Sequence, residues 1–109
     1  MRRSDLKTAK LVPIRHNPAL LKKVLIDEPV SCVKHLSHAV FRPGDTAVEH
    51  SHDDAFEVFY CVKGDLVFKV KGEEVLLKEG SCLVVEPGET HSIETVVSET
   101  ELLFMLVQR

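Results

Sequence analysis

Gly44-Asp45-Thr46-Ala47-Val48-Glu49-His50-Ser51-His52-Asp53-Asp54-Ala55-Phe56-Glu57-Val58-Phe59-Tyr60-Cys61-Val62-Lys63-Gly64 decides how this chain folds. Two glycines frame two histidines and a glutamate, and a further histidine, His91, follows the turn Glu86-Pro87-Gly88-Glu89-Thr90. On a strand, side chains at i and i+2 share a face, so His50 and His52 can point into one interior. Glu57 lies past the short polar link Asp53-Asp54 and opens the next apolar run, and His91 comes from a separate strand. Three imidazoles and one carboxylate at these spacings form a metal-ligand set. A lone His-x-His would read as a polar strand end. With ordinary residue frequencies, however, the five fixed positions from Gly44 to Gly64 coincide by chance less than about once in ten thousand chains of this length.

Outward from this stretch the chain reads as strands and turns. Val30 to Phe41 is expected to be one strand, closed by the turn Pro43-Gly44-Asp45. Ala47 to His52, Glu57 to Val62, Leu66 to Lys71, Val75 to Lys78, Ser81 to Val85, His91 to Val96 and Leu102 to Val107 follow. Leu66, Phe68 and Val70 alternate with Val67, Lys69 and Lys71, the period of a strand with one wet face. No amphipathic helix is legible after residue 30. Many short strands at near-regular spacing imply an all-β sandwich or barrel. Before Val30 the reading divides. Asn17-Pro18 suits a short helix start, whereas Val24 and Ile26 alternating with Lys23 and Leu25 suit a strand ended by Glu28-Pro29.

At 109 residues there is room for one core. The formal net charge of −3 and the lack of a basic stripe argue against nucleic acid as a partner. The basic opening Met1-Arg2-Arg3 has no apolar run behind it, so neither a secretory signal nor a membrane span is expected. Cys32, Cys61 and Cys82 are odd in number, lack Cys-x-x-Cys spacing and sit in apolar stretches. They read as buried free thiols in a reducing compartment, which gives a cytoplasmic expectation. Leu20, Leu21, Val24, Leu25 and Ile26 offer more apolar surface than one short strand buries, and barrel edges invite pairing, so a homodimer is expected.

Gly44 to Gly64 resembles the first motif of the cupin superfamily at every fixed position. Gly80 to Thr95 is similar to the second, matching at Gly80, Gly88 and His91. Glu86 stands where the family usually has proline, which here falls one place later at Pro87, and Thr95 stands where it often has asparagine. The resemblance spans about residues 30 to 107. It implies a jelly-roll (double-stranded β-helix) barrel over 30–109, with residues 1–29 as a short irregular segment, a strand or short helix, packing on the barrel or on a partner. It implies that His50, His52, Glu57 and His91 hold one divalent transition metal, and small members of the family commonly pair by exchanging an N-terminal strand.

Imidazole with carboxylate suits Fe, Mn, Ni, Zn or Cu, and four protein ligands leave a coordination position open to a small-molecule ligand. Parity places Phe59 and Cys61 on the side of Glu57, and Ile93 and Thr95 on the side of His91, with Phe68 and Leu66 completing an apolar wall. Of His35 and His38, at opposite parity, only one can face inward. Tyr60 faces away from the metal, and Arg42 is a solvated strand-end charge or an anion anchor. Glu86 and Glu89 flank the turn before His91, either to hydrogen-bond the ligand histidines or to keep the barrel mouth hydrated, and His16 carries no signal. Two functions remain: a metal-dependent oxygenase, isomerase or lyase acting on a small polar organic molecule, or a non-catalytic metal- or metabolite-binding sensor. The family contains both.

Overall fold

A computed structural model describes residues 1–109. It is all-β: ten strands, every pairing antiparallel, in two sheets and with no helix. The strands are β1 (Leu11–Ile14), β2 (Asn17–Ile26), β3 (Val33–Phe41), β4 (Ala47–His50), β5 (Ala55–Lys63), β6 (Asp65–Val70), β7 (Glu73–Lys78), β8 (Cys82–Val85), β9 (His91–Val96) and β10 (Thr100–Gln108). A six-stranded sheet runs β1-β2-β3-β10-β5-β8 and a four-stranded sheet runs β4-β9-β6-β7. This is a jelly-roll arrangement: β4, the β6–β7 pair and β9 lie in the smaller sheet, while β3, β5, β8 and β10, which flank them in sequence, lie in the larger. No helix is long and apolar enough to cross a membrane.

Alternation along the strands builds the core between the sheets. Ser37, Ala39 and Phe41 of β3, Phe59 and Cys61 of β5, Leu66 and Phe68 of β6, and Leu102 of β10 are all buried. Phe59 packs on Phe68 with ring centroids 4.7 Å apart, a tilted contact that favours aromatic pairs beyond simple burial. The outer faces are polar or half-exposed, as a two-layer fold requires.

Leu11 to Ile26 form a β1–β2 hairpin that extends the larger sheet, and residues 1–10 before it lie outside any strand. β2 pairs with β3, aligning Lys23 with His38 and Val24 with Ser37, and Leu20 packs against the core. The helix reading of Asn17-Pro18 fails because the pairing supplies hydrogen bonds that so short a helix could not. The next strand begins at Val33, not Val30. Ser31 adopts φ 53°, and Val30 and Val33 exchange backbone hydrogen bonds of 2.8 and 2.9 Å, so these residues close a tight turn. β4 likewise stops at His50, leaving His52 in the following loop. Only Cys61 of the three cysteines is buried. Cys32 and Cys82 are exposed, because Cys32 lies in the turn before β3 and Cys82 occupies an outward position on the edge strand β8.

The chain passes from one sheet to the other at Lys63-Gly64-Asp65, with Gly64 the only residue between β5 and β6. Gly64 has φ +85°, and a Cβ there would fall 2.2 Å from the Glu99 carbonyl oxygen and 2.8 Å from Thr100 Cα, both backbone atoms. Gly44, at φ +97°, faces open space. Gly64→Ala is therefore expected to destabilise the fold by about 2 kcal/mol or more, through both strain and overlap. Gly44→Ala should lose only about 1 kcal/mol, from the backbone conformation alone. Paired denaturant melts check the difference, and equal losses would contradict it.

Candidate metal centre

Both sheets and the loop between them contribute to one cluster. His50 ends β4 and His91 begins β9, and the two are cross-strand partners in the smaller sheet. Glu57 lies on β5 in the larger sheet, between Leu106 of β10 and Val85 of β8. His52 comes from the loop linking β4 to β5. The His52 carbonyl accepts a 2.8 Å hydrogen bond from the Gly88 N–H, which ties this loop to the turn before His91. One potential ligand atom from each of His50, His52, Glu57 and His91 falls within 4.8 Å of all the others. The His91 side chain is 1% exposed and that of Glu57 13%.

The hydrogen bonds around the cluster aim it inward. His50 Nδ1 lies 2.9 Å from the Val48 carbonyl oxygen and His91 Nδ1 lies 3.1 Å from that of Glu89. A carbonyl only accepts, so each neutral ring carries its proton on Nδ1 and presents a bare Nε2 lone pair. Those Nε2 atoms converge on one carboxylate oxygen. Glu57 Oε1 is 3.0 Å from His91 Nε2, 3.3 Å from His52 Nε2 and 3.9 Å from His50 Nε2. Burial pushes the Glu57 carboxyl up, but the three imidazoles outweigh it and hold the group well below the usual carboxylate range. Positive charge has to lie between these nitrogens and the carboxylate, either as protons on Nε2, which is what lowers Glu57, or as a metal cation that replaces them. The donors are three imidazole nitrogens and one carboxylate, the chemistry of a divalent transition-metal site, and these four residues fit such an ion.

The cluster opens onto a cavity of about 280 Å³. Phe59, Phe68 and Ile93 line it, while Cys61 and Thr95 do not. Cys61 lies deeper, wholly buried, with its Sγ donating to the Lys63 and Gly64 carbonyls at 3.3 and 3.5 Å. Burial also pushes its thiol up, so it is an inert core residue. Thr95 is exposed because the β6–β9 register slips: Phe68 faces Ile93, yet Val67 faces Thr95. One extra residue on β9 turns Thr95 outward despite its parity with His91 and Ile93. Leu66 is buried beneath this wall and does not line the cavity.

Of the β3 histidines, His35 lines the cavity, and His38 faces outward to Glu101 at 2.6 Å. Tyr60 is exposed, and Arg42 pairs with Glu99 at 3.3 Å on the surface. The Glu89 carboxylate accepts from the Glu86 backbone N–H at 2.8 Å, so this side chain shapes the turn, and only the Glu89 carbonyl reaches His91.

Sequence patterns missed His16. Its ring stacks on that of His50 at 3.5 Å, tilted by 14°, and the Val48 N–H donates to the His16 carbonyl at 3.4 Å. Burial, then the nearness of His50 and His52, pulls the His16 imidazole down to about 4, so it is neutral at ordinary pH. Ile14, Arg15 and Lys22 also reach the cavity from the hairpin, with Lys34, Phe104 and Leu106 from β3 and β10. None stands at a motif spacing; β2 strand parity alone points at Lys22.

Comparison with known proteins agrees with this picture. Residues 37–107 match the family model described as Cupin domain. The oxalate-binding protein of Thermotoga maritima is 37% identical over 65 residues, 60% of this chain and 53% of that protein. Quercetin 2,3-dioxygenase of Bacillus subtilis is 33% identical over 64 residues, 59% of this chain but 19% of that protein. The chain thus spans about half the length of the first relative and a fifth of the second. A crystal structure of a predicted oxalate decarboxylase from Thermotoga maritima superposes with a TM-score of 0.81 at 22% identity, covering 100% of both chains. At that identity it speaks to the fold alone.

One transition-metal ion per chain is expected in protein purified without a metal-binding tag, or after soaking with Fe, Mn, Ni or Zn. Elemental analysis is the measurement, and a content that stays near zero would refute it. His91→Ala should lower affinity at least about tenfold, and Glu89→Ala far less, because the Glu89 carbonyl survives. Ligation needs an unprotonated imidazole, so affinity should fall as the solution is acidified.

Proposed function

The chain belongs to the cupin superfamily, and on that premise we propose that it is a small metal-dependent protein acting on a small polar organic molecule at the open side of its metal, by oxygenase, isomerase or lyase chemistry. One observation carries this reading: four ligand atoms within 4.8 Å of one another at the edge of a cavity walled by Phe59, Phe68 and Ile93. An ion bound there supplies Lewis acidity to an oxygen or nitrogen donor of the ligand. The phenyl rings exclude water and so strengthen every charge interaction in the cavity. His50, His52, Glu57 and His91 would hold the ion, with the His50 and His91 rings oriented by backbone carbonyls. His16, neutral and stacked on His50, is the nearest group able to hold or move a proton at its ring nitrogens. His35, which also lines the cavity, is a second candidate.

A non-catalytic binder is the alternative, and the relative named an oxalate-binding protein favours it. The relative named a dioxygenase favours the enzyme. We also place the protein in the cytoplasm, on the support of three free cysteines. We propose a homodimer through the β1–β2 edge, where Leu11 and Leu21 are 58% and 48% exposed beside the unpaired backbone of β1.

A substrate screen on Fe, Mn, Ni and Zn forms, following oxygen uptake and products by mass spectrometry, distinguishes the two functions. The enzyme reading expects turnover that His52→Ala abolishes. Metabolite binding without turnover in every metal form would establish the binder. Light scattering at micromolar concentration should give twice the chain mass, and truncation to about residue 28 should lower both mass and stability. A monomer would overturn the dimer.

A further inference from the structure

Three cations line the cavity without a counter-charge. Arg15, Lys22 and Lys34 all reach it, yet none has a carboxylate at ion-pair distance. The cavity's only acidic residue, Glu57, already faces three histidines.

Lys22 is the most telling of the three. Lys23 pairs with outward-facing His38, and Val24 with buried Ser37. Parity therefore sends Lys23 to the outer face and Lys22 to the inner one. The Lys22 ammonium lies 5.9 Å above the Phe104 ring. Phe104 stacks on Phe59 at 5.9 Å, and Phe59 meets His91 at 6.1 Å. A continuous aromatic floor thus runs from an unpaired ammonium to the histidine cluster. A charge on the inner face of a barrel loses hydration, and a cation–π contact offsets only part of that loss. An anion brought in by a ligand would offset the rest. The cavity, about 280 Å³, falls just below the roughly 300–1,000 Å³ typical of ligand pockets, which suits only a small ligand.

We propose that this cavity takes a small organic acid, whose carboxylate is recognised by Lys22 with Arg15 and Lys34 at the rim, while its other end faces the histidine–glutamate cluster. The inference rests on the metal-centred reading above and adds the chemical class of the ligand. It also assigns selectivity to residues outside the segment matched by the family model, 37–107. The metal cluster comes from the matched barrel, whereas Arg15 and Lys22 come from the hairpin before it.

The test is calorimetric titration of the metal-loaded protein with dicarboxylates from oxalate to glutarate, the matching neutral diamides and inorganic phosphate, with metal content measured on the same samples. At least one diacid should bind, with its diamide and phosphate at least about tenfold weaker. Lys22→Met should weaken diacid binding by about ten- to a hundredfold, the loss of one charge-assisted contact, without changing metal content or melting temperature. Lys22→Arg should retain most of the affinity, and Lys23→Met, on the outer face, all of it. Metal-replete protein that binds no diacid, binds phosphate equally well, or is indifferent to Lys22→Met would overturn the proposal. If metal content is near zero, the metal reading fails separately. Diacid binding that still depends on Lys22 would then support the anion site, and its absence would overturn that too.

Discussion

Everything in this molecule converges on the crowding of basic atoms around Glu57. Three imidazole nitrogens lie 3.0 to 3.9 Å from one carboxylate oxygen, and the Nδ1 bonds of His50 and His91 to carbonyls leave their Nε2 lone pairs pointing at the anion. Such a cluster is favourable only with positive charge at its centre. It is also what the two-sheet architecture holds together, since Glu57 stands on the larger sheet and His50 and His91 on the smaller. The core beneath, with Phe59 packed on Phe68 across the same gap, fixes the separation of the sheets and so the distance between the ligands.

The two sides of the cavity differ in origin and in chemistry. The metal side is made by cross-strand pairing and by the loop holding His52, all within the segment that carries the family likeness. The opposite side is made by the β1–β2 hairpin, which adds two strands to the larger sheet and turns its tip, Arg15-His16, over the histidine cluster. The first side suits general coordination chemistry. The second carries the unpaired cations to which we assign recognition of an anionic ligand.

Much of the site was legible because local periodicity carried it. Glycines at turns, His-x-His at strand spacing and the later Pro-Gly turn before His91 announced the four clustered residues, and alternation announced Phe59, Phe68 and Ile93 as cavity wall. The jelly-roll class followed from the motif resemblance, since strand alternation alone suits many β-folds. Parity failed where a strand departs from regularity. A slip in the β6–β9 register turned Thr95 to solvent, and the end of β4 put His52 on a loop, where a backbone bond from Gly88, not strand parity, places it.

The sequence by itself pointed to the four clustered residues and to most strands after residue 30, because both rest on short spacings and alternation that geometry converts into a shared face, while the barrel class rested on the motif resemblance. Only the tertiary structure decided that His16 stacks on His50, that Lys22 lies over Phe104 within the barrel, and that Cys32 and Cys82 face solvent while Cys61 is sealed in the core. These facts depend on which strand lies beside which and in what register, and long-range pairing energy sets both, with no trace in local pattern.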